Sequence, residues 1–319
     1  MMKLGVVITN YNNLGDLREC IGSVLRADDS TSECNVVVVD NASSDGSFEA
    51  IGKEFLQIKV LHTTRNLGFG GGNNLGARTL LDSGADVVVM LNNDTIVRKD
   101  FRLSIAKVAE RHPGPLAICP KIRKFDNPNL IESCGFRVSM IRGAPMPRSY
   151  GELDDGRFDK EEEAFGISGP AIIVNRELIN KVGLLDPSYF LYEEDTDYSL
   201  RIIKSGVRTI FAPSVVLFHK GRRSDKSKHV EYFASPLANF FCIRNSLALL
   251  AAHGSLYQKI GHAYFLLLIS LPWRILLTAL SHRMVVRPIL WGFISRINPS
   301  RFPSDDLMVE RLVNSGHSS

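Results

Sequence analysis

The sequence predicts an α/β protein: a doubly wound, mostly parallel sheet followed by apolar C-terminal helices. Three observations carry that prediction. Short Val- and Ile-rich runs alternate with helix-patterned stretches in the first half, and polar residues gather where those runs end. After about residue 235 the chain turns apolar and helical, with arginines interspersed. Unbroken apolar runs suit strands covered on both faces. Strand–helix alternation implies right-handed crossovers between parallel strands.

Four runs read as buried parallel strands: LGVVIT (4–9), NVVVVD (35–40), IKVLHT (58–63) and DVVVML (86–91). Residues 14–26, 47–55 and 72–82 have helical spacing between them. RNLGFGGGNNLG (65–76) reads as a glycine loop leading into the third helix. From 113 to 165 the pattern dissolves into Pro, Gly and charge, which predicts short irregular strands and a mobile loop, with 154–163 the most disordered part. GISGPAIIVNRELINKVG predicts a strand and then a helix, and TIFAPSVVLFH a strand pair ending at His219.

Beyond residue 235, FFCIRNSLALLAA, YFLLLISLPWRILLTAL and VVRPILWGFIS predict helices. Pro272 and Arg274 interrupt the longest run, which falls short of the roughly 18 unbroken apolar residues of a membrane span. Arg244, Arg274, Arg283, Arg287 and Arg296, near Trp273, Trp291 and Phe293, fit helices lying in a membrane interface. A helical pair packed on the sheet is the other reading. The expected division is a domain at 1–234 and a helical, membrane-associated segment at 235–319.

Composition excludes several classes. A formal net charge of +4 is too weak to indicate nucleic acid. Five scattered cysteines with no CxxC pair indicate neither a zinc site nor a disulfide framework, and a reducing cytosolic setting follows. MMKLGVVITNYNN reads as a first strand and not as a signal peptide.

Ligands of doubly wound sheets bind at the carboxyl ends of the strands. Asp40, after four valines, can accept from the imide N–H of a uracil or thymine ring, or can serve with Asp45 to cap the next helix. The glycines of 65–76 allow close backbone approach, and a helix start there offers N–H donors to phosphate. They follow the third strand, and residue 73 is Asn, so the segment is no dinucleotide fingerprint. LNNDT places Asp94 among asparagines, and Mg²⁺ and Mn²⁺ favour such oxygen ligands. EEDTDYSLR packs four carboxylates within five residues at a helix start. Helix capping and an Asp197–Arg201 pair account for part of that charge. Clustering raises a carboxyl pKa, which suits a general base. His219 ends an apolar strand, as a metal ligand or as a satisfied core histidine.

Taken in order, VVITNYN, VVVDNASSDGS, RNLGFGGGNN, LNNDT, YFLYEEDTDYSLR and FHKGRRS resemble a family 2 glycosyltransferase of the GT-A fold, in the rhamnosyltransferase-like subgroup. The likeness covers residues 4–245, and FFCIRN resembles a further element of that subgroup. It implies that Thr9, Asn10 and Tyr11 line the nucleotide pocket and that Asp40 contacts the base. Asn66, Gly70 and Asn73 would lie along the donor. Asn92 and Asp94 stand at the metal motif, with Asn in place of its first acid, and His219 would complete a Mg²⁺ or Mn²⁺ site. Asp195 would be the catalytic base, with Glu194 beside it. The implied reaction is an inverting, metal-dependent transfer of rhamnose or a hexose from a dTDP- or UDP-sugar. The acceptor would be a saccharide, lipid-linked, in surface polysaccharide synthesis at the cytoplasmic face of the membrane.

Two other classes compete. A nucleotidyltransferase would carry a Gly- and Arg/Lys-rich loop after the first strand, where this chain has TNYNN. A non-catalytic scaffold of the same fold has no need of Asp94, Asp195 and His219 together.

Overall fold

The computed structural model describes residues 1–27, 32–221, 235–273, 275–276, 286–297 and 304–315. Arg274, Arg283, the Arg287 side chain and the RRS of FHKGRRS lie outside the described residues. The chain forms two compact units that interleave in sequence. The first comprises Met1–Arg137, Pro147–Pro187 and Asp195–Gly221; the second comprises Val138–Met146, Ser188–Glu194 and Arg222–Ser319. A single cut at 234/235 does not reproduce that division, because two internal segments cluster with the C-terminal helices.

The first unit is a mixed, mostly parallel sheet. Strands β1 (Met2–Asn10), β2 (Ser32–Asp40), β3 (Lys59–His62) and β4 (Val87–Asn92) pair in parallel in the order β4-β1-β2-β3. They are joined by helices α1 (Leu14–Arg26), α2 (Ser47–Glu54) and α3 (Gly68–Asp82). Val6, Ile8, Val38 and Val89 are fully buried on one face, and Val7, Val39, Val88 and Met90 on the other. Both faces are therefore covered, as the unbroken apolar runs require. Beyond β4 the sheet continues with β11 (Ala171–Asn175), antiparallel to β4. Next come β6 (Ala117–Lys124) and β12 (Thr209–His219), parallel to each other.

Four features depart from the sequence reading. Helix α3 begins at Gly68, so the glycines form its first turns and not a loop. A Cβ on Gly76 would stand 2.4 Å from Val7 Cγ1, and one on Gly72 2.5 Å from Thr9 Cγ2. Bare backbone there lets the helix press against β1, which offsets the poor helix propensity of glycine. The segment TIFAPSVVLFH is one strand with a bulge between Ala212 and Val216, not a pair. A short strand β5 (Thr95–Val97) begins at the last residue of LNNDT and pairs with the end of β12, Thr95 opposite His219. The segment expected to be most disordered is anchored: Asp154, 3% exposed, pairs with the buried Lys121 at 3.0 Å and with Arg123. A desolvated ammonium needs such a partner, and the irregular chain supplies it.

In the second unit, α7 (Pro236–His253), α8 (Leu256–Phe265), α9 (Val286–Ile297) and α10 (Asp305–Ser315) are helical. Phe190, Phe240, Phe241 and Met308 form its core. Among the described residues, no helix is long and apolar enough to cross a membrane. All five cysteines are free.

Candidate active site

Strand register assembles the first part of the site. Thr9 is paired with Asn92, Asn10 with Asp40, and Asp40 with His62, so the carboxyl ends of β4, β1, β2 and β3 form one row. Asn10 is fully buried. Its amide lies 3.3 Å from Ser43 Oγ and 3.5 Å from Asp40 Oδ1, and its oxygen accepts from Asn93 Nδ2 at 2.7 Å. Asp40 is 1% exposed, and its Oδ2 meets the Ser43 amide at 3.1 Å and His62 Nδ1 at 2.9 Å. Asn93 of LNNDT and His62, which was given no role from the sequence, thus support Asn10 and Asp40. Tyr11 is exposed. Asp45 accepts from Ser47 N and from Leu14 N, steadying the starts of two helices.

The glycine-rich segment divides in role. Asn66 Oδ1 accepts from Gly68 N and from Asn41 Nδ2, both at 2.8 Å, and Asn41 Oδ1 accepts from Leu67 N. The entry to α3 is therefore tied to the residue after Asp40. Gly70 lies under Asp186 and Pro187, where a Cβ would come within 3.4 Å of Asp186 O. Asn73 is fully buried and donates to Phe69 O. Its Oδ1 and the Thr9 hydroxyl are buried with no hydrogen-bond partner among the described residues. Buried polar atoms are nearly always satisfied, so such orphans mark places where a partner is due.

At the end of β4, Asp94 Oδ1 faces His219 Nε2 at 3.2 Å. The β5–β12 pairing brings them together. On the other side of the ring, His219 Nδ1 lies 2.6 Å from Glu132 Oε1, a residue of β7 (Ile131–Ser133). Burial alone would lower the imidazole pKa, but the hydrogen bonds and charges of Asp94 and Glu132 outweigh it and push it up to about 10. As an imidazolium the ring can donate to both carboxylates. An acid holding the far nitrogen of a histidine is the outer-shell pattern of metal-ligating histidines. Asp94 and His219 fit one edge of a hard divalent ion whose other ligands come from substrate and water. No group of three or more His, Cys, Asp or Glu able to hold a metal is found among the described residues.

The acidic helix start supplies the second carboxylate. Helix α6 (Glu194–Lys204) begins there, and Asp197 pairs with Arg201 at 2.7 Å, as the i,i+4 spacing requires. Asp195 Oδ2 accepts from Gly169 N at 2.9 Å, and Oδ1 from Thr196 N at 2.7 Å. Burial raises the Asp195 pKa above its ordinary value; the Gly169 and Thr196 hydrogen bonds pull the other way and do not cancel it. The Ser168–Pro170 turn touches both halves of the site, since Pro170 O accepts from Asn92 N at 3.0 Å. Glu194 is 6% exposed and falls in the second unit.

Within that second unit the approach to α6 is strained. Phe190, Tyr192 and Glu193 have φ of 61°, 68° and 69°, a region that non-glycine residues rarely enter. Asn245 holds them there. Its Nδ2 lies 2.8 Å from the carbonyls of Tyr189, Leu191 and Tyr192. Arg244 donates to Ser188 O and Tyr189 O, pairs with Asp305, and lies over the Phe241 ring. The FFCIRN element is thus a clamp on the segment that leads to Asp195.

The family model of glycosyl transferase family 2 matches residues 5–183, more than half of the chain. The chain belongs to this family. As a family 2 glycosyltransferase it is similar to the N-acetylglucosaminyl-diphospho-decaprenol L-rhamnosyltransferase of Mycobacterium tuberculosis. The two are 27% identical over 251 residues, 71% of this chain and 80% of that protein. It is also similar to the dTDP-rhamnosyl transferase RfbF of Shigella flexneri, 23% identical over 219 residues, 68% of this chain and 71% of that one. Among solved structures, GalNAc-T7 with UDP, GalNAc and Mn²⁺ superposes with a TM-score of 0.55 at 16% identity, covering 89% of this chain and 58% of that one. The fold of this glycosyltransferase is therefore GT-A, as the ordered motifs implied.

Proposed function

We propose that this glycosyltransferase moves a sugar, rhamnose or a hexose, from a dTDP- or UDP-linked donor to a saccharide acceptor carried on a lipid, with inversion. One observation carries the reading: a carboxyl of raised pKa, fixed by the Gly169 and Thr196 amides, lies against the Ser168–Pro170 turn, which also accepts from Asn92 at the end of β4. Asp195 takes the proton of the acceptor hydroxyl as its oxygen bonds to the anomeric carbon. The bond from that carbon to the diphosphate oxygen breaks on the opposite face, and the nucleoside diphosphate leaves. Glu194 stands beside the base. Thr9, Asn10, Tyr11, Asp40, Asn66, Gly70, Asn73 and Asn92 line the donor pocket in this reading. The orphaned Thr9 hydroxyl and Asn73 oxygen support it. Asp94 and His219 would hold Mg²⁺ or Mn²⁺, which when bound neutralises diphosphate charge.

The diphospho-decaprenol acceptor of the Mycobacterium relative and the dTDP-rhamnosyl donor of the Shigella relative favour dTDP-rhamnose and a diphospholipid acceptor. A lipid-linked acceptor supports a peripheral enzyme at the cytoplasmic face of the membrane, acting in surface polysaccharide synthesis. The deciding experiment measures nucleoside diphosphate release across a panel of nucleotide sugars, with Mg²⁺, Mn²⁺ or chelator, and with lipid-linked acceptors present. Metal-dependent release from one donor supports the reading. Silence across the panel favours the scaffold, and pyrophosphate release from a nucleoside triphosphate with a sugar phosphate favours the nucleotidyltransferase.

Asn245 should matter to turnover without touching substrate. Asn245→Ala strands three carbonyls and frees a strained turn. Stability is expected to drop by about 1–3 kcal/mol in urea. With the base displaced, kcat should fall roughly 10–100-fold and KM change little. An unchanged kcat in folded Asn245→Ala would remove the clamp from the catalytic argument.

A further inference from the structure

The second unit contains a cavity that the transfer chemistry does not use. Its volume is about 370 Å³, within the range of small-molecule sites. Leu247 and Leu250 of α7, Leu266, Leu267 and Phe293 form its walls. Ala251 and Ala263 line it while remaining exposed, so they stand at its rim. Lys259 supplies the charge. His262, 2% exposed, also lines it; its Nδ1 lies 2.9 Å from Ile141 O, and its Nε2 has no hydrogen-bond partner among the described residues. With Nδ1–H donating to that carbonyl, Nε2 is a buried acceptor awaiting a donor. The wall continues into a π-helical turn, Leu266–Ser270, a geometry frequent at functional sites.

The surroundings identify the ligand class. Leu256, Tyr257, Tyr264, Leu267, Leu268 and Trp273 are all more than half exposed. Tyrosine and tryptophan beside aliphatic side chains are the composition of a membrane-interface surface. The sequence from 232 to 304 carries seven Lys and Arg and no Asp or Glu, in a chain whose net charge is only +4. An apolar cavity with a lysine, set in an acid-free cationic stretch, complements a hydrocarbon chain with an anionic head.

We propose that this cavity takes the hydrocarbon chain of a phosphate-headed membrane lipid, with Lys259 meeting the headgroup. His262 Nε2 accepts from a protonated phosphate oxygen, and the exposed aromatic and aliphatic side chains rest in the bilayer surface. The inference rests on the membrane-surface part of the reading above and not on its transfer chemistry.

Two measurements on the full chain test it. Calorimetric titration with decyl phosphate, below its micelle concentration, reads the cavity; co-sedimentation with phosphatidylglycerol and with phosphatidylcholine vesicles reads the surface. Wild type should bind decyl phosphate and prefer the anionic vesicles. Ala263→Trp fills the rim without making it polar, and should weaken decyl phosphate at least about tenfold by denying the chain its burial. That variant should still sediment with anionic vesicles. Lys259→Glu should weaken decyl phosphate and leave decanol binding unchanged. If Ala263→Trp fails to fold, Ala251→Phe replaces it at the same rim. Binding of decyl phosphate unaltered by rim filling, or absent in wild type, overturns the cavity assignment. Absence of vesicle binding overturns the membrane reading with it, while donor cleavage in solution would stand untouched.

Discussion

Asp195→Asn is expected to lower kcat 10²–10⁴-fold, on the order of the loss of a positioned general base, with donor binding and fold retained. Asparagine keeps the size of the side chain and can still accept from one of the Gly169 and Thr196 amides, but its NH2 group faces the other and it cannot take a proton. The wild-type rate should fall as pH drops through the raised Asp195 pKa, above the ordinary carboxylate value of about 3.9. The linkage has a definite sign. A carboxyl whose folded pKa is raised binds its proton more tightly in the native state. Its ionisation therefore costs stability as pH climbs past the unfolded value, and the cost levels off above the folded one. At neutral pH the relief of that buried charge offsets the one hydrogen bond the asparagine variant loses, so it should melt close to wild type. Loss of activity with stability retained would identify a residue kept for chemistry; near-normal turnover would remove Asp195 as the base.

Asp94→Ala is expected to reduce metal-stimulated donor cleavage on the order of 10²–10³-fold, the scale of losing one electrostatic partner of a departing charge. Chelated wild type should fall to a similar level. The proton balance at His219 gives an independent reading. Its pKa of about 10 makes it an imidazolium at neutral pH in the metal-free protein. A cation can bind Nε2 only as that proton leaves, so binding should release protons and tighten as pH rises towards that value. Calorimetry in buffers of different ionisation heat measures the release. His219 also contributes stability that is complete below the ordinary histidine value of about 6.5 and is lost as pH rises through about 10. Glu132→Gln should weaken metal binding about 10–100-fold. Binding of Mn²⁺ without proton release would exclude His219 as a ligand.

The sheet was legible because burial on both faces leaves unbroken Val and Ile runs, and register then follows from the crossovers. Asp94 and His219 were legible singly, each after an apolar run, and as a pair only through the resemblance; the β5–β12 pairing sets them 3.2 Å apart. Glu132 was not legible, since it lies in an irregular segment with no period, carried to His219 by the pairing of β7 with β6 beside β12. The role of Gly169 rests on a backbone amide, which no side-chain pattern records. The start of α3 was missed because glycine argues against helix, while its compensation, contact with Val7 and Thr9, is tertiary. Asp154 looked disordered because charge and glycine surround it; its partners Lys121 and Arg123 lie about 30 residues upstream. Asn245 stood in a motif that resemblance flagged, but the three carbonyls it serves are 53–56 residues away.

The interleaving of the two units bears on how such transferases can be recombined. Ser188–Glu194 belongs with the helix that carries Asn245, whereas Asp195 opens the next stretch of the sheet-bearing unit. A chimera that exchanged only the chain after residue 234 would present a foreign clamp to a native loop. Exchanging Ser188–Glu194 together with the tail would keep the clamp and its loop matched. The tail is therefore not a detachable module, and the graft that respects the structure needs crossovers on both sides of that seven-residue loop.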